Sequence, residues 1–287
     1  MSASVKLQVV KINNDSYKSS ADTLAVEEPL EIRLAFGSGL EAKTKSLAVT
    51  MRTPGNDDEL AIGFLFTEGI INNYNSVKKA GHIFIACSEN KENIFEVKLQ
   101  EEIVPHLSQA ERNFYTTSSC GVCGKASINA IRTVIPSSEK TVINMIIPKE
   151  IIYSLPEKLS AHQKVFAETG GLHAAALFDN NGKILMVRED VGRHNALDKL
   201  IGASLINNKM PLSDSILFLS GRASFELVQK AAMAGIPLIA AVGAPSSLAV
   251  SLAQEFGITL IGFLRENRFN IYSSAERIKI PVYENSY

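Results

Sequence analysis

The sequence predicts an α/β protein made of a smaller N-terminal α+β domain and a larger α/β domain. Three observations lead there. From Gly170 onward, nearly all-apolar runs alternate with helical patterns of about 11 residues, the signature of a parallel sheet covered on both faces. The first third instead mixes short strand-like runs with one helix, which suggests a compact α+β unit. A polar stretch from Gln100 to Ser119 separates the two, and it places the domains at residues 1–112 and 113–287. A chain of 287 residues is long enough for both.

The elements follow in order. Val5–Ile12, Leu30–Phe36, Ser46–Met51 and Ile94–Leu99 read as strands by β-branched content and partial alternation. Asn56 is placed to cap a helix with Glu59 at its third position, and the pattern through Leu60, Gly63, Phe64 and Leu65 stops near Gly69. A further helical pattern runs through Ala126, Ile128, Ala130, Ile131 and Val134. His173–Asp179 and Lys183–Glu189 flank an Asn-Asn-Gly turn and read as a hairpin. A helix is expected from Asn195, as cap, to Ile206. Ile216–Ser220, Pro237–Val242 and Ile258–Leu264 are then strands, alternating with helices over Ser224–Ala234 and Ser246–Phe256. Gly235 and Gly257 fall where helix C-termini need a left-handed residue.

Composition excludes several classes. With 46% hydrophobic and 21% charged residues the chain has ordinary globular composition. A formal charge of -1 argues against a general polyanion surface, so no nucleic-acid partner is expected, though a local basic site is allowed. The apolar stretch Met233–Ala253 is broken by Pro237, Pro245 and several serines, so no membrane partner is expected. Three cysteines and an N-terminus without a basic region and apolar core point to the cytoplasm.

Ligands of open α/β sheets bind beyond the carboxyl ends of the strands, where helix N-termini converge. Three such ends carry anion-binding chemistry here: Gly221-Arg222-Ala-Ser224, Gly243-Ala-Pro-Ser246-Ser247 and Arg265-Glu266-Asn267-Arg268. Glycines let backbone approach a ligand, serines cap helices, and arginines grip phosphate. These features point to a nucleotide or pyrophosphate site. It lacks the Rossmann and P-loop glycine signatures. A second polar cluster, Glu189-Asp190-Val-Gly192-Arg193-His194-Asn195, precedes a helix. It is either a ligand or proton-transfer site or a capping loop with an internal Asp–Arg pair. His173 opens an apolar strand and reads as a core histidine; His82, His106 and His162 stand in undistinguished contexts.

Cys120 and Cys123, in Ser118-Ser119-Cys120-Gly-Val-Cys123-Gly124-Lys125, are the chemically distinctive pair. A structural zinc site needs four ligands, whereas Cys87 is remote and no His-x3–5-His occurs; no metal site is expected. A thioredoxin-like pair belongs at the end of an early strand, usually beside Trp, and this chain has no Trp. The third option is a nucleophilic thiolate, its pKa lowered near Lys125 and a helix N-terminus, that carries sulfur as a persulfide. Composition alone does not select among them.

Seven segments together resemble the formate dehydrogenase accessory sulfurtransferases, the FdhD family, over Ala25 to Ser273. They are Glu28-Pro29-Leu30; Asp58 to Leu65 with Glu68-Gly69-Ile-Ile; Ser119 to Lys125; Thr169 to Ala175; Glu189 to Lys199; Ser220-Gly221-Arg222 with Gly243 to Ser246; and Gly262 to Arg265. The resemblance implies a cytidine-deaminase-like three-layer αβα larger domain and a cytoplasmic homodimer. It implies a sulfurtransferase that accepts sulfur from a cysteine desulfurase. The sulfur is passed to the molybdenum or tungsten bis(molybdopterin guanine dinucleotide) cofactor that formate dehydrogenase requires. Cys120 would carry the persulfide with Cys123 assisting. Phe263, Leu264, Arg265, Glu266, Asn267 and Arg268 match the cofactor-binding segment, with Gly221, Arg222, Gly243 and Ser246 beside it, and GDP is the natural fragment ligand. The alternative is a non-catalytic chaperone that binds and inserts the cofactor. Deamination is excluded. His173-Ala-Ala175 lacks the Glu of a zinc deaminase, and the cysteine pair lies upstream without a preceding Pro.

Overall fold

The computed structural model describes residues 2–14, 16–83, 93–105, 107 and 145–280. The three cysteines, the expected helix around Ala126–Val134 and the expected boundary at residues 112/113 lie outside these. The mixed α/β class holds, with six α-helices among the described residues. The chain forms two compact units, each discontinuous in sequence.

The first unit comprises Met1–Val134, Gln163–Ala174 and Arg188–Lys209, as far as these are described. It begins with a two-stranded ribbon, β1 (Ser4–Asn13) against β2 (Ser16–Ala25), paired without a break from Ser4↔Ala25 to Asn13↔Ser16. A four-stranded sheet follows. It uses β3 (Glu28–Phe36), β4 (Lys43–Arg52), β5 (Val77–His82) and β6 (Ile94–Leu99) in the order β4-β3-β6-β5. In β3, Leu30, Ile32 and Leu34 alternate inward and are fully buried, as half-buried strands require. Helix α1 (Asp57–Thr67) starts where expected, but Asn56 takes a left-handed conformation and its side chain caps nothing. Glu59 is drawn instead to Arg188.

The second unit comprises Ile135–His162, Ala175–Val187 and Met210–Tyr287, again as far as described. It contains α2 (Lys149–Ser160). The short α3 (Lys164–Thr169) that follows it belongs to the first unit. β8 (His173–Phe178) and β9 (Ile184–Asp190) neighbour one another as the hairpin pattern predicts, and the unit limits fall within both; β7 (Ile147–Pro148) is a short outlying strand. The Asp179 carboxylate accepts from the backbone N–H of Asn181 and Lys183, which fixes the turn.

α4 (Arg193–Ile206) belongs to the first unit and is buried from Asn195 to Leu205. It begins two residues before the expected cap: Gly192 occupies the cap position, and Asn195 lies inside the helix. In the second unit β10 (Ile216–Leu219), α5 (Phe225–Met233), β11 (Leu238–Ala241), α6 (Ser247–Glu255), β12 (Thr259–Arg265) and β13 (Arg268–Ser273) follow, with a final short strand β14 (Ile278–Lys279) paired to β7. Every residue of β10 and β11 is buried, so both faces are covered. Gly235 and Gly257 have φ of +74° and +62°, as expected past helix ends.

The sheet order is β13-β12-β11-β10-β8-β9. Only β10, β11 and β12 run parallel; β8 joins β10 antiparallel and β13 joins β12 antiparallel. The parallel sheet expected from the pattern is therefore a three-stranded centre with antiparallel flanks. On the β13 side the departure has a simple cause. A tight turn such as Arg265–Arg268 can return a strand only antiparallel.

Candidate functional site

In the second unit the three expected strand ends lie side by side. Val242 N–H donates to Leu219 O (3.0 Å) and Gly243 N–H to Gly221 O (2.9 Å), so the turns after β10 and β11 run together. Ser246 N–H continues this to Ala223 O (3.1 Å), and an isolated parallel bridge joins Ala223 to Pro245. Phe263 N–H reaches Gly243 O (3.2 Å) from β12. The contact is so close that a Cβ on Gly243 would lie 2.8 Å from Arg222 Cγ and 2.9 Å from its Cα; only glycine fits.

This edge gathers Gly221, Arg222, Gly243, Ser246, Phe263, Leu264 and Arg265. Ser246 caps α6, accepting from Ala249 N–H at 3.2 Å as its sequence position predicts, while Ser224 holds the cap position of α5. Arg222, Phe263, Arg265, Glu266, Asn267 and Arg268 are exposed, whereas Leu264 is buried and packs into the core. None of the three arginines pairs with a carboxylate among the described residues. An aromatic residue with φ of +54°, Phe263 sits in a left-handed conformation that bulky side chains rarely adopt. Chemically the edge offers the exposed guanidinium groups of Arg222 and Arg268, a capped helix start and one exposed ring, while Arg265 Nη1 is hydrogen-bonded to Val242 O and Leu264 O.

The second polar cluster resolves into a buried network of the first unit. Asp190 is fully buried and accepts four donors: Lys199 Nζ at 2.7 Å, Gly192 N–H at 2.8 Å, Thr53 N–H at 3.1 Å and Asn195 Nδ2 at 3.1 Å. Lys199, only 2% exposed, also donates to Thr53 O at 2.8 Å. Asn195 ties the α4 start to β4 through Met51 O (2.8 Å) and Thr50 Oγ1 (3.1 Å). Where the capping-loop alternative had an internal Asp–Arg pair, Asp190 pairs with Lys199. Glu189 accepts the N–H groups of Val165 and Phe166, stabilising the start of α3. Asp198 accepts from Thr67 Oγ1 at 2.9 Å.

His173 is half-buried, and burial, helped by the nearby Arg193 charge, holds its pKa below the ordinary histidine value despite an opposing pull from Asp190. Arg193 Nε is buried and has no hydrogen-bond partner among the described residues.

Sequence reasoning missed one group. Arg52, fully buried, grips Asp57 bidentately (both 3.0 Å) and reaches Glu28 (3.1 Å) and Asn93 (3.0 Å). His82 Nε2 stands 3.2 Å from the same Asp57, its ring edge-on to Phe95. An arginine closing an apolar strand five residues before an acidic helix start was the available signal. The participation of His82 had none.

A model of the FdhD/NarQ family matches residues 25–279. The chain belongs to this family. The match contains every segment on which the resemblance rested, the cysteine pair included. The relative from Streptomyces coelicolor named sulfur carrier protein FdhD is 49% identical over 278 residues, covering 95% of each chain. The namesake from Mycolicibacterium paratuberculosis is 51% identical over 263 residues, or 90% of this chain and 92% of its own. An archaeal one, from Sulfurisphaera tokodaii, is 43% identical over 273 residues, covering 95% and 98%. The crystal structure of a formate dehydrogenase accessory protein from Desulfotalea psychrophila superposes with a TM-score of 0.71 at 23% identity, over 97% of this chain and all of that one. That likeness establishes a shared fold for this FdhD/NarQ chain. Among its described residues no group of three or more His, Cys, Asp or Glu side chains could hold a metal, and no helix is long and apolar enough to cross a membrane.

Proposed function

We propose that this chain is a sulfur carrier and transferase serving formate dehydrogenase. The observation that carries the reading is the Cys120–Cys123 pair inside a family match of 255 positions, residues 25–279, shared with relatives named sulfur carrier proteins. Sulfur arrives as the terminal atom of a persulfide on a cysteine desulfurase. The Cys120 thiolate attacks that atom, a new S–S bond forms on Cys120, the donor S–S bond breaks, and the donor cysteine leaves as thiolate. The exchange involves no net oxidation. Lys125, two residues beyond Cys123, favours the thiolate by charge, and Cys123 is positioned in sequence to attack the persulfide in turn.

The recipient in this reading is the bis(molybdopterin guanine dinucleotide) cofactor with molybdenum or tungsten, treated as substrate. The strand ends at Gly221-Arg222, Gly243–Ser246 and Phe263–Arg268 are its docking edge. The exposed guanidinium groups of Arg222 and Arg268 and the α6 start suit a diphosphate, and the exposed Phe263 ring suits a flat base. The reading also takes the protein to act in the cytoplasm as a homodimer with a cytidine-deaminase-like arrangement of its larger domain.

The same edge favours a second reading, a chaperone that binds and inserts the cofactor without handling sulfur. Formate dehydrogenase activity in cells lacking their own accessory protein separates the two. Under the transferase reading Cys120→Ala abolishes rescue; full rescue by that variant leaves only the chaperone.

A further inference from the structure

Resting on the docking edge described above, we infer that Arg265 is a positioning residue, a side-chain staple that holds the ends of β11 and β12 together, and that the phosphate-binding guanidinium is that of Arg222. Regular pairing of β11 with β12 stops at Ala240↔Ile261. Beyond it β12 is irregular, with a register shift between Gly262 and Arg265 and the left-handed Phe263 within it. The backbone there no longer presents its amides in ladder positions, so carbonyls at the end of β11 need other donors.

Arg265 supplies one. Its Nη1 donates to Val242 O at 2.7 Å and to Leu264 O at 2.7 Å, which uses both hydrogens of that nitrogen. On its other side the Val242–Gly243 pair is held by N–H bonds to Leu219 O and Gly221 O. Beyond the regular ladder, two hydrogen-bonded links join the β11 and β12 ends among the described residues: the Arg265 bridge and the bond from Phe263 N–H to Gly243 O, a long one at 3.2 Å. The spacing between the Gly243 turn and the Phe263 ring depends on that pair.

Arg222 is differently placed. Its stem packs against Gly243, it is exposed, and no carboxylate pairs with it among the described residues. It stands on the turn after β10, which is hydrogen-bonded to the Val242–Gly243 turn that Arg265 helps to fix.

The test needs two readouts on the full chain. Amide exchange followed by NMR, without ligand, should show Phe263 N–H exchanging about tenfold faster in Arg265→Ala, the effect of losing one or two net hydrogen bonds. Arg265→Lys, which keeps a cationic donor for the carbonyls, should restore most of the protection, and Arg222→Ala should leave it unchanged. GDP and guanosine affinities should then fall by the same factor in Arg265→Ala, while Arg222→Ala removes the preference for GDP. Unchanged exchange in Arg265→Ala would overturn the staple, as would a loss confined to GDP. If the wild-type protein binds neither ligand, the docking edge itself is wrong, and the exchange result still decides the role of Arg265.

Discussion

Gly63 of α1 and Gly202 of α4 face each other where the two helices cross. A Cβ on Gly63 would lie 1.9 Å from the Asp198 carbonyl oxygen, and one on Gly202 would lie 1.8 Å from that of Glu59. The obstacles are backbone atoms, so no rotamer change relieves them. Because α4 also carries Asp198 and Lys199, this close crossing sets where the buried network of the first unit can form.

Gly63→Ala should therefore destabilise the protein by about 1–3 kcal/mol or more, the usual cost of forcing atoms into a packed core. Gly81→Ala is the control, since a Cβ there meets nothing within 4 Å. Denaturant midpoints compare the two, and equal effects would mean that the crossing tolerates separation.

Lys199→Met should cost roughly 3–5 kcal/mol, because it strands the Asp190 charge in a buried position. Adding Asp190→Asn should recover part of that loss, giving a coupling on the order of 1–3 kcal/mol in a double-mutant cycle. Strict additivity would show that the 2.7 Å pair contributes nothing beyond its separate members.

His173 gives a pH prediction. Burial and Arg193 lower its folded-state pKa, so the unfolded chain takes up a proton first as pH falls. Its contribution to stability is fully present above about pH 6.5, the unfolded value, and declines as pH drops from there through the lower folded value. Urea midpoints measured through this window should fall less steeply in His173→Asn than in wild type. Parallel curves would assign the pH dependence to other groups.

Much of the scaffold was legible because burial leaves a pattern. β6 matched its expected span, and the apolar runs of β10, β11 and β12 stood out between helices closed by Gly235 and Gly257. β2 escaped notice because Ser16–Ala25 is largely exposed and polar, paired among the described residues only to β1, so no alternation was imposed on it. The strand Arg268–Ser273 was not read, and only its first residue, Arg268, fell in the expected ligand segment. Capping motifs misled where a distant partner prevailed. Glu59 fits a capping box, yet Arg188, 129 residues away, takes its carboxylate. Asn195 looks like a cap, yet Asp190 and Met51 hold it inside the helix. The strand-end glycines, serines and arginines were readable because fold topology alone predicts where they converge. The bridging role of Arg265 was not, since it depends on a bulge at Phe263 that no residue type announces.

Cys120 is proposed to carry sulfur. The direct measurement is the intact and peptide mass of the protein after incubation with a cysteine desulfurase and isotopically labelled cysteine. One added labelled sulfur atom is expected, located on Cys120, absent from Cys120→Ala and removed by a thiol reductant. A wild-type protein that gains no labelled sulfur on either Cys120 or Cys123 would contradict it.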